Sequence, residues 1–146
     1  MDDLQAPIAA PATRVLVIDD SNTIRRSAEI FLRQGGHEVL LAEDGFDALA
    51  KVNDHAPQLI FCDILMPRLD GYQTCALIKR NPKFAHVPVI MLSSKDGLFD
   101  KARGRMVGSE DYLTKPFTKD QLLRAVQQFG GAVAADGGAV DTVPEA

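Results

Sequence analysis

Four places along this 146-residue chain set reactive groups directly after short apolar runs. Asp19 and Asp20 follow RVLVI at 14–18, and Asp63 follows QLIFC at 58–62. Ser93 and Ser94 follow VPVIML at 87–92, and Lys115 and Pro116 follow DYLT at 111–114. Taken singly, each has a plain reading. An Asp after a strand commonly caps a helix or forms a turn, and a Lys before Pro is an ordinary loop residue. The coincidence across four run ends is what these plain readings handle badly. Three carboxylates gathered at one point repel one another and stay ionised together only with a cation among them. Carboxylate, water and carbonyl oxygens suit Mg²⁺. A divalent ion beside a free carboxylate points to phosphoryl chemistry, in which the metal neutralises phosphoryl oxygens while the carboxylate attacks phosphorus. Asp63 is the candidate nucleophile, and Asp19 and Asp20 are the candidate metal ligands. Lys115 would offset charge on one oxygen, and Ser93 would donate a hydrogen bond to another.

The elements that must position these groups are legible from patterning. Strand candidates are 14–18, 38–42, 58–62, 87–92 and 111–114. They are almost continuously apolar, as expected of parallel strands covered on both faces. Amphipathic helices separate them. The first is capped by Ser21 or Asn22, has an inner stripe of Ile24, Ala28, Phe31 and Leu32, and ends at Gly35 and Gly36. The second uses Phe46, Leu49 and Val52, with Pro57 beyond its end. The third spans about 71–80, with Tyr72, Cys75, Ala76 and Ile78 inward. The fourth spans about 96–107, and the fifth is capped by Thr118 and uses Leu122, Leu123 and Val126. Alternating units of this length predict a doubly wound α/β fold with right-handed crossovers, commonly a flavodoxin-like five-stranded sheet of order 2-1-3-4-5. In that order the four polar strand ends belong to neighbouring strands, and ligands bind beyond such ends.

Charge and composition exclude several classes. The net charge of −4 is not the basic excess of a nucleic-acid binder. Residues 14–129 hold 15 acids and 16 bases, so the acidity lies in segments 1–13 and 130–146. Those segments are rich in Ala, Gly and Pro without helical period and read as disordered tails around one domain at 14–129. No apolar run reaches membrane-spanning length, and the N-terminus lacks a signal-peptide pattern. Cys62 and Cys75 form no CxxC and sit in apolar patterns, which fits a reducing, cytoplasmic setting. His37, His55 and His86 lie on separate loops without ligand spacing and read as surface residues.

The segments VLVIDDS (15–21), DILMPRLDG (63–71), PVIMLSS (88–94) and YLTKPF (112–117) together resemble the receiver domains of two-component response regulators, the CheY-like family. The resemblance covers about residues 14–129. It implies that Asp63 accepts a phosphoryl group from the phosphohistidine of a histidine kinase. It implies further that Asp19, Asp20 and Asp63 hold Mg²⁺ with the backbone carbonyl of Leu65. Ser93 matches the family's switch hydroxyl, Lys115 its lysine, Tyr112 its switch aromatic, and Lys115–Pro116 its cis peptide. Output is then a packing change at the face of the fourth helix, fifth strand and fifth helix. A domain of this kind is not an enzyme beyond its own phosphorylation and dephosphorylation. The segments 44–52, 67–79 and 91–117 resemble PilG-type regulators of type IV pilus chemosensory systems, which implies a chemotaxis-type kinase and a role in twitching motility. The alternative is a flagellar-chemotaxis regulator of the CheY type.

Leu65, two past Asp63, is apolar where many relatives are polar, and Lys95, two past Ser93, cannot act as a base. Both are expected to slow self-dephosphorylation. Lys95, Lys101, Arg103 and Arg105, with Phe99, form a candidate docking patch for an acidic partner. The 17 residues after Phe129 are too few for a DNA-binding domain, so output is expected through a protein partner, with the pilus machinery as the candidate, from a monomer or a weak phosphorylation-dependent dimer. An aspartyl phosphatase would need D-x-D where Asp19 and Asp20 are adjacent. A flavodoxin would need a phosphate loop free of carboxylates there.

Overall fold

Strands that are apolar on both sides can be stable only between two layers of helices. The computed structural model meets that need, describing residues 12–94 and 98–130, with all their side chains except 98 and 99. The strands are β1 (Arg14–Ile18), β2 (Glu38–Ala42), β3 (Leu59–Asp63), β4 (Val89–Ser93) and β5 (Asp111–Thr114). The helices are α1 (Asn22–Gln34), α2 (Gly45–His55), α3 (Gly71–Arg80), α4 (Leu98–Met106) and α5 (Lys119–Ala125), the last continuing into a π-helical turn, Val126–Gly130. All pairings are parallel, in the order β2-β1-β3-β4-β5. This is the flavodoxin-like architecture expected from the patterning.

Alternation along each strand divides the core in two. Val15, Val17, Leu59, Phe61, Ile90 and Leu92 meet Ala28 and Leu32 of α1 and Leu122 and Val126 at the other end of the chain. Leu16, Ile18, Ile60, Cys62, Val89 and Met91 meet Ala48 and Val52 of α2 and Cys75 and Ile78 of α3. β3 and β4 are buried at every residue, which marks them as the centre of the sheet.

The structure moves some expected boundaries. β3 and β4 begin and end one or two residues later than the apolar runs suggest, because Asp63 and Ser93 are themselves ladder residues. Pro88 has no N–H to give, so β4 starts at Val89, whose N–H is taken by Glu110 Oε1 at 2.8 Å. Phe46 does not belong to the inner stripe of α2: it is 57% exposed. The inward positions are Gly45, Ala48 and Val52, spaced three and four apart, and Phe46 lies about 100° round from Gly45. Thr13 and Gly130, at the inner edges of the expected tails, are buried. The rest of those tails, residues 1–11 and 131–146, lies outside the described residues.

Helix entry is controlled by side-chain caps. Ser21, Asp44, Asp70 and Thr118 each accept from a backbone N–H three residues on. Asp70 and Thr118 complete capping boxes with Gln73 and Gln121. The start of α3 also needs a glycine. A Cβ on Gly71 would lie 2.1 Å from the carbonyl oxygen of Asp63 and 2.8 Å from Ile64 Cα. Both obstacles are backbone, so no side-chain rotation relieves them. Gly71→Ala is therefore expected to lower stability by about 2–4 kcal/mol. Urea unfolding measures this, and an unchanged midpoint would contradict the close approach.

Candidate functional site

Each polar strand end is held by the ladder before its side chain does anything. Asp19 N–H donates to Ala42 O at 3.1 Å, Ile64 N–H to Leu92 O at 3.1 Å, and Lys115 N–H to Ser93 O at 2.6 Å. These bonds bring Asp19, Asp63, Ser93 and Lys115 to one edge of the sheet, as the order β2-β1-β3-β4-β5 requires. The Lys115–Pro116 peptide is cis.

Asp19, Asp20 and Asp63 each offer a carboxylate oxygen within 4.8 Å of the others. Asp19 is wholly buried and Asp63 nearly so, while Asp20 is exposed. Lys115 Nζ lies between the two buried groups, 2.9 Å from Asp63 Oδ1 and 3.2 Å from Asp19 Oδ2. The other oxygen of Asp19 accepts the N–H of Ser21 at 2.9 Å, and its backbone carbonyl accepts Arg25 Nη1 at 2.6 Å. One ammonium thus stands against three carboxylates.

The protonation of Asp63 reflects that imbalance. Burial pushes its carboxyl up; the Lys115 hydrogen bond pulls it down, the Asp19 charge pushes it up again, and the result is about 7. Burial would lower Lys115, but its hydrogen bond to Asp63 and the charge of Asp19 outweigh it, and the ammonium is raised above its ordinary value. The donor set fits a hard divalent cation. It is all oxygen, it carries surplus negative charge, and one member, Asp20, faces water.

Ser93 closes the side of the pocket towards α4. It is buried, and its Oγ donates to Asp100 Oδ2 at 2.9 Å. Ile64, Leu65, Ser93, Ser94 and Asp100 line a cleft of about 90 Å³. Leu65 is 68% exposed there, so its side chain stands at the mouth rather than in the core. Tyr112 lies on β5 opposite Met91, half-buried, with Lys101 Nζ 5.5 Å from its ring centre. Arg103 leans instead on Tyr72 of α3, 4.5 Å from its ring centre. Lys101 and Arg103 therefore lean to different flanks of α4, and Arg105, four residues on from Lys101, is exposed. Lys95 and the side chain of Phe99 lie outside the described residues. Asp100 and the hydroxyl of Tyr72 were not legible as site groups, because their meeting depends on how α4 sits on α3. Both thiols are buried and pushed up, Cys75 to about 12, which leaves them unreactive.

The raised Asp63 carboxyl has a consequence for stability. Folded Asp63 holds its proton more tightly than an unfolded Asp, which titrates near 3.8. The stability it contributes is complete below that value and is lost as pH rises through about 7. The urea midpoint of the metal-free protein is expected to fall across that window, and Asp63→Asn to remove that part of the profile. Parallel profiles for parent and variant would contradict the crowding of carboxylates. Added Mg²⁺ is expected to raise the parent's midpoint above pH 7 more than the variant's.

Comparison with known proteins places this geometry. The response regulator receiver domain family matches residues 15–127. Protein PilG of Pseudomonas aeruginosa is 67% identical over 114 residues, covering 78% of this chain and 84% of PilG. Protein PilH of the same organism is 36% identical over 113 residues, covering 77% of this chain and 93% of PilH. Among solved structures, the chemotaxis protein CheY4 of Vibrio cholerae superposes with a TM-score of 0.78 at 31% identity, over 82% of this chain and 99% of CheY4. The receiver domain of a Pseudomonas aeruginosa sensor histidine kinase, solved with a magnesium ion coordinated in its active-site cleft, superposes with a TM-score of 0.76 at 29% identity, over 83% of this chain and 99% of that one. No described helix is long and apolar enough to cross a membrane. The acidic pocket, the sheet order and the match along the whole folded part lead to one assignment: the chain belongs to the response regulator receiver domain family.

Proposed function

We propose that this chain is a phosphorylation switch, charged on Asp63 by the phosphohistidine of a chemotaxis-type histidine kinase. The observation that carries this reading is the buried Asp63 carboxylate held 2.9 Å from Lys115 among two further acids. An Asp63 oxygen forms a bond to phosphorus as the phosphorus–nitrogen bond breaks. The electron pair leaves with the imidazole, which is neutralised by a proton from water. Mg²⁺ held by Asp19, Asp20, Asp63 and the backbone carbonyl of Leu65 would supply positive charge to the phosphoryl oxygens. Lys115 stays within reach of a second oxygen, and its raised affinity for its proton keeps it charged at neutral pH. Asp63 must be ionised to attack, and a cation among the three acids favours that form.

The chain turns over no external substrate on this reading and is not an enzyme in that sense. Its signal passes to a protein partner through the α4–β5–α5 face, with Ser93 turning to the phosphoryl group and Tyr112 following. Identity of 67% to PilG supports control of type IV pili over flagellar rotation, and a cytoplasmic place beside the kinase.

The test is direct. Treatment with acetyl phosphate and Mg²⁺ is expected to add one phosphoryl group to the intact mass of the parent and none to Asp63→Asn. No gain on the parent, or an equal gain on the variant, would end this reading. The lifetime of the modified form is a separate prediction. The exposed Leu65 side chain at the cleft mouth offers no hydrogen bond to an attacking water. Loss of the phosphoryl group is expected over minutes or longer, and Leu65→Asn is expected to hasten it severalfold in a mass-resolved time course. A parent lifetime of seconds would contradict that role.

A further inference from the structure

Two hydroxyls converge on a single carboxylate beside the pocket. Ser93 Oγ donates to Asp100 Oδ2 at 2.9 Å, and Tyr72 OH donates to Oδ1 at 3.3 Å. Ser93 and Tyr72 are both buried and Asp100 is half-buried. Tyr72 belongs to α3 and Asp100 to α4, so this carboxylate ties β4, α3 and α4 together. One turn further along α4, Arg103 covers the Tyr72 ring.

A serine hydroxyl has one proton to donate. Ser93 can give it to Asp100 or to an oxygen of a phosphoryl group on Asp63, and not to both at once. That group brings a charge of about −1.5 to −2. It would attract the Ser93 hydroxyl while repelling the Asp100 carboxylate to which that hydroxyl is bonded. We propose that Asp100 is a positioning residue that latches the unphosphorylated state: it holds the Ser93 hydroxyl, with Tyr72 as a second tether, and must let go before Ser93 can turn to Asp63. Occupancy of Asp63 is then read as a loosening of α4 from α3, with Arg103 one turn away to receive the released carboxylate. The proposal rests on the reading of Asp63 as the phosphoacceptor.

Beryllofluoride with Mg²⁺, a mimic of a phosphoryl group on a carboxylate, provides the test on the full chain. Its Kd is measured by titration calorimetry. Asp100→Ala is expected to tighten it by about fivefold, the worth of roughly one hydrogen bond of about 1 kcal/mol. Tyr72→Phe is expected to tighten it by about twofold, since one tether remains. In a Ser93→Ala background, Asp100→Ala is expected to tighten it clearly less, by the part that charge repulsion alone contributes. The double variant separates a latch from simple charge removal, because loss of repulsion alone would tighten binding equally in both backgrounds. An equal gain in both backgrounds, or unchanged or weaker binding in the parent background, overturns the latch. Should Asp100→Ala prove unfolded by its thermal transition, Asp100→Asn and Tyr72→Phe decide the matter by the same readout. A parent that takes up no beryllofluoride overturns the phosphoacceptor reading itself. A parent that binds, with variants that match it, overturns the latch alone.

Discussion

Repulsion among carboxylates is the constraint on which the rest of this molecule depends. Asp19, Asp20 and Asp63 are held within 4.8 Å of one another, and two of them are buried. At such separations a like-charge pair near a protein surface costs on the order of 4 kcal/mol. The Lys115 ammonium offsets part of this and cannot offset all of it. What remains must be resisted by a frame that does not yield, and the sheet supplies one. β3 and β4 are buried at every residue, and the backbone groups next to Asp19, Asp63 and Lys115 are committed to ladder bonds with neighbouring strands. The unequal exposure of the acids fits the same account. Asp20 faces water, while Asp63 bears the strain as a carboxyl raised to about 7.

The loop between β3 and α3 extends the frame. At its far end Asp70 caps α3, and Gly71 lets the helix start against the carbonyl of Asp63. In its middle Arg68 adopts a left-handed φ of 68° and reaches Asp44 Oδ2 at 3.0 Å, while Asp44 Oδ1 caps α2 at 2.7 Å. The exposed ion pair contributes little by itself, and each cap about 1 kcal/mol. Their joint effect is geometric. The segment carrying Leu65 is fixed at both ends by local chemistry on either side.

Much of this is legible in the sequence. Period and composition placed the strands of β1, β2 and β5 at their observed bounds, because each is a short apolar run ended by a turn or a charge. They misplaced β3 and β4 by a residue or two, for the reason that makes those strands interesting. Asp63 and Ser93 look like loop residues to any hydrophobic pattern and are ladder residues in fact. Phe46 misled in the opposite direction. A large apolar side chain in an amphipathic stretch invites assignment to the core, but the close seat of Gly45 against Leu69 and Thr74 sets the rotation of α2 and turns Phe46 outward. The Asp100 cluster had no signature, since it depends on the packing of α4 against α3 rather than on any spacing along the chain.

Side-chain type alone does not separate the uses to which the aspartates around the pocket are put. Asp44 and Asp70 each accept a backbone N–H through Oδ1 and stabilise helix starts. Asp19 and Asp63 face an ammonium and each other. Asp100 accepts the hydroxyls of Ser93 and Tyr72. The last two uses respond oppositely to added negative charge. A doubly charged group on Asp63 would draw Lys115 closer and drive Asp100 away. The Ser93 hydroxyl, bonded to Asp100, would be pulled and released by the same event. Direction is thereby built into the pocket: the charge that would occupy it favours movement of α4 over movement of the sheet, because the backbone beside Asp19 and Asp63 is locked by ladder bonds while Asp100 meets β4 and α3 through side-chain hydroxyls.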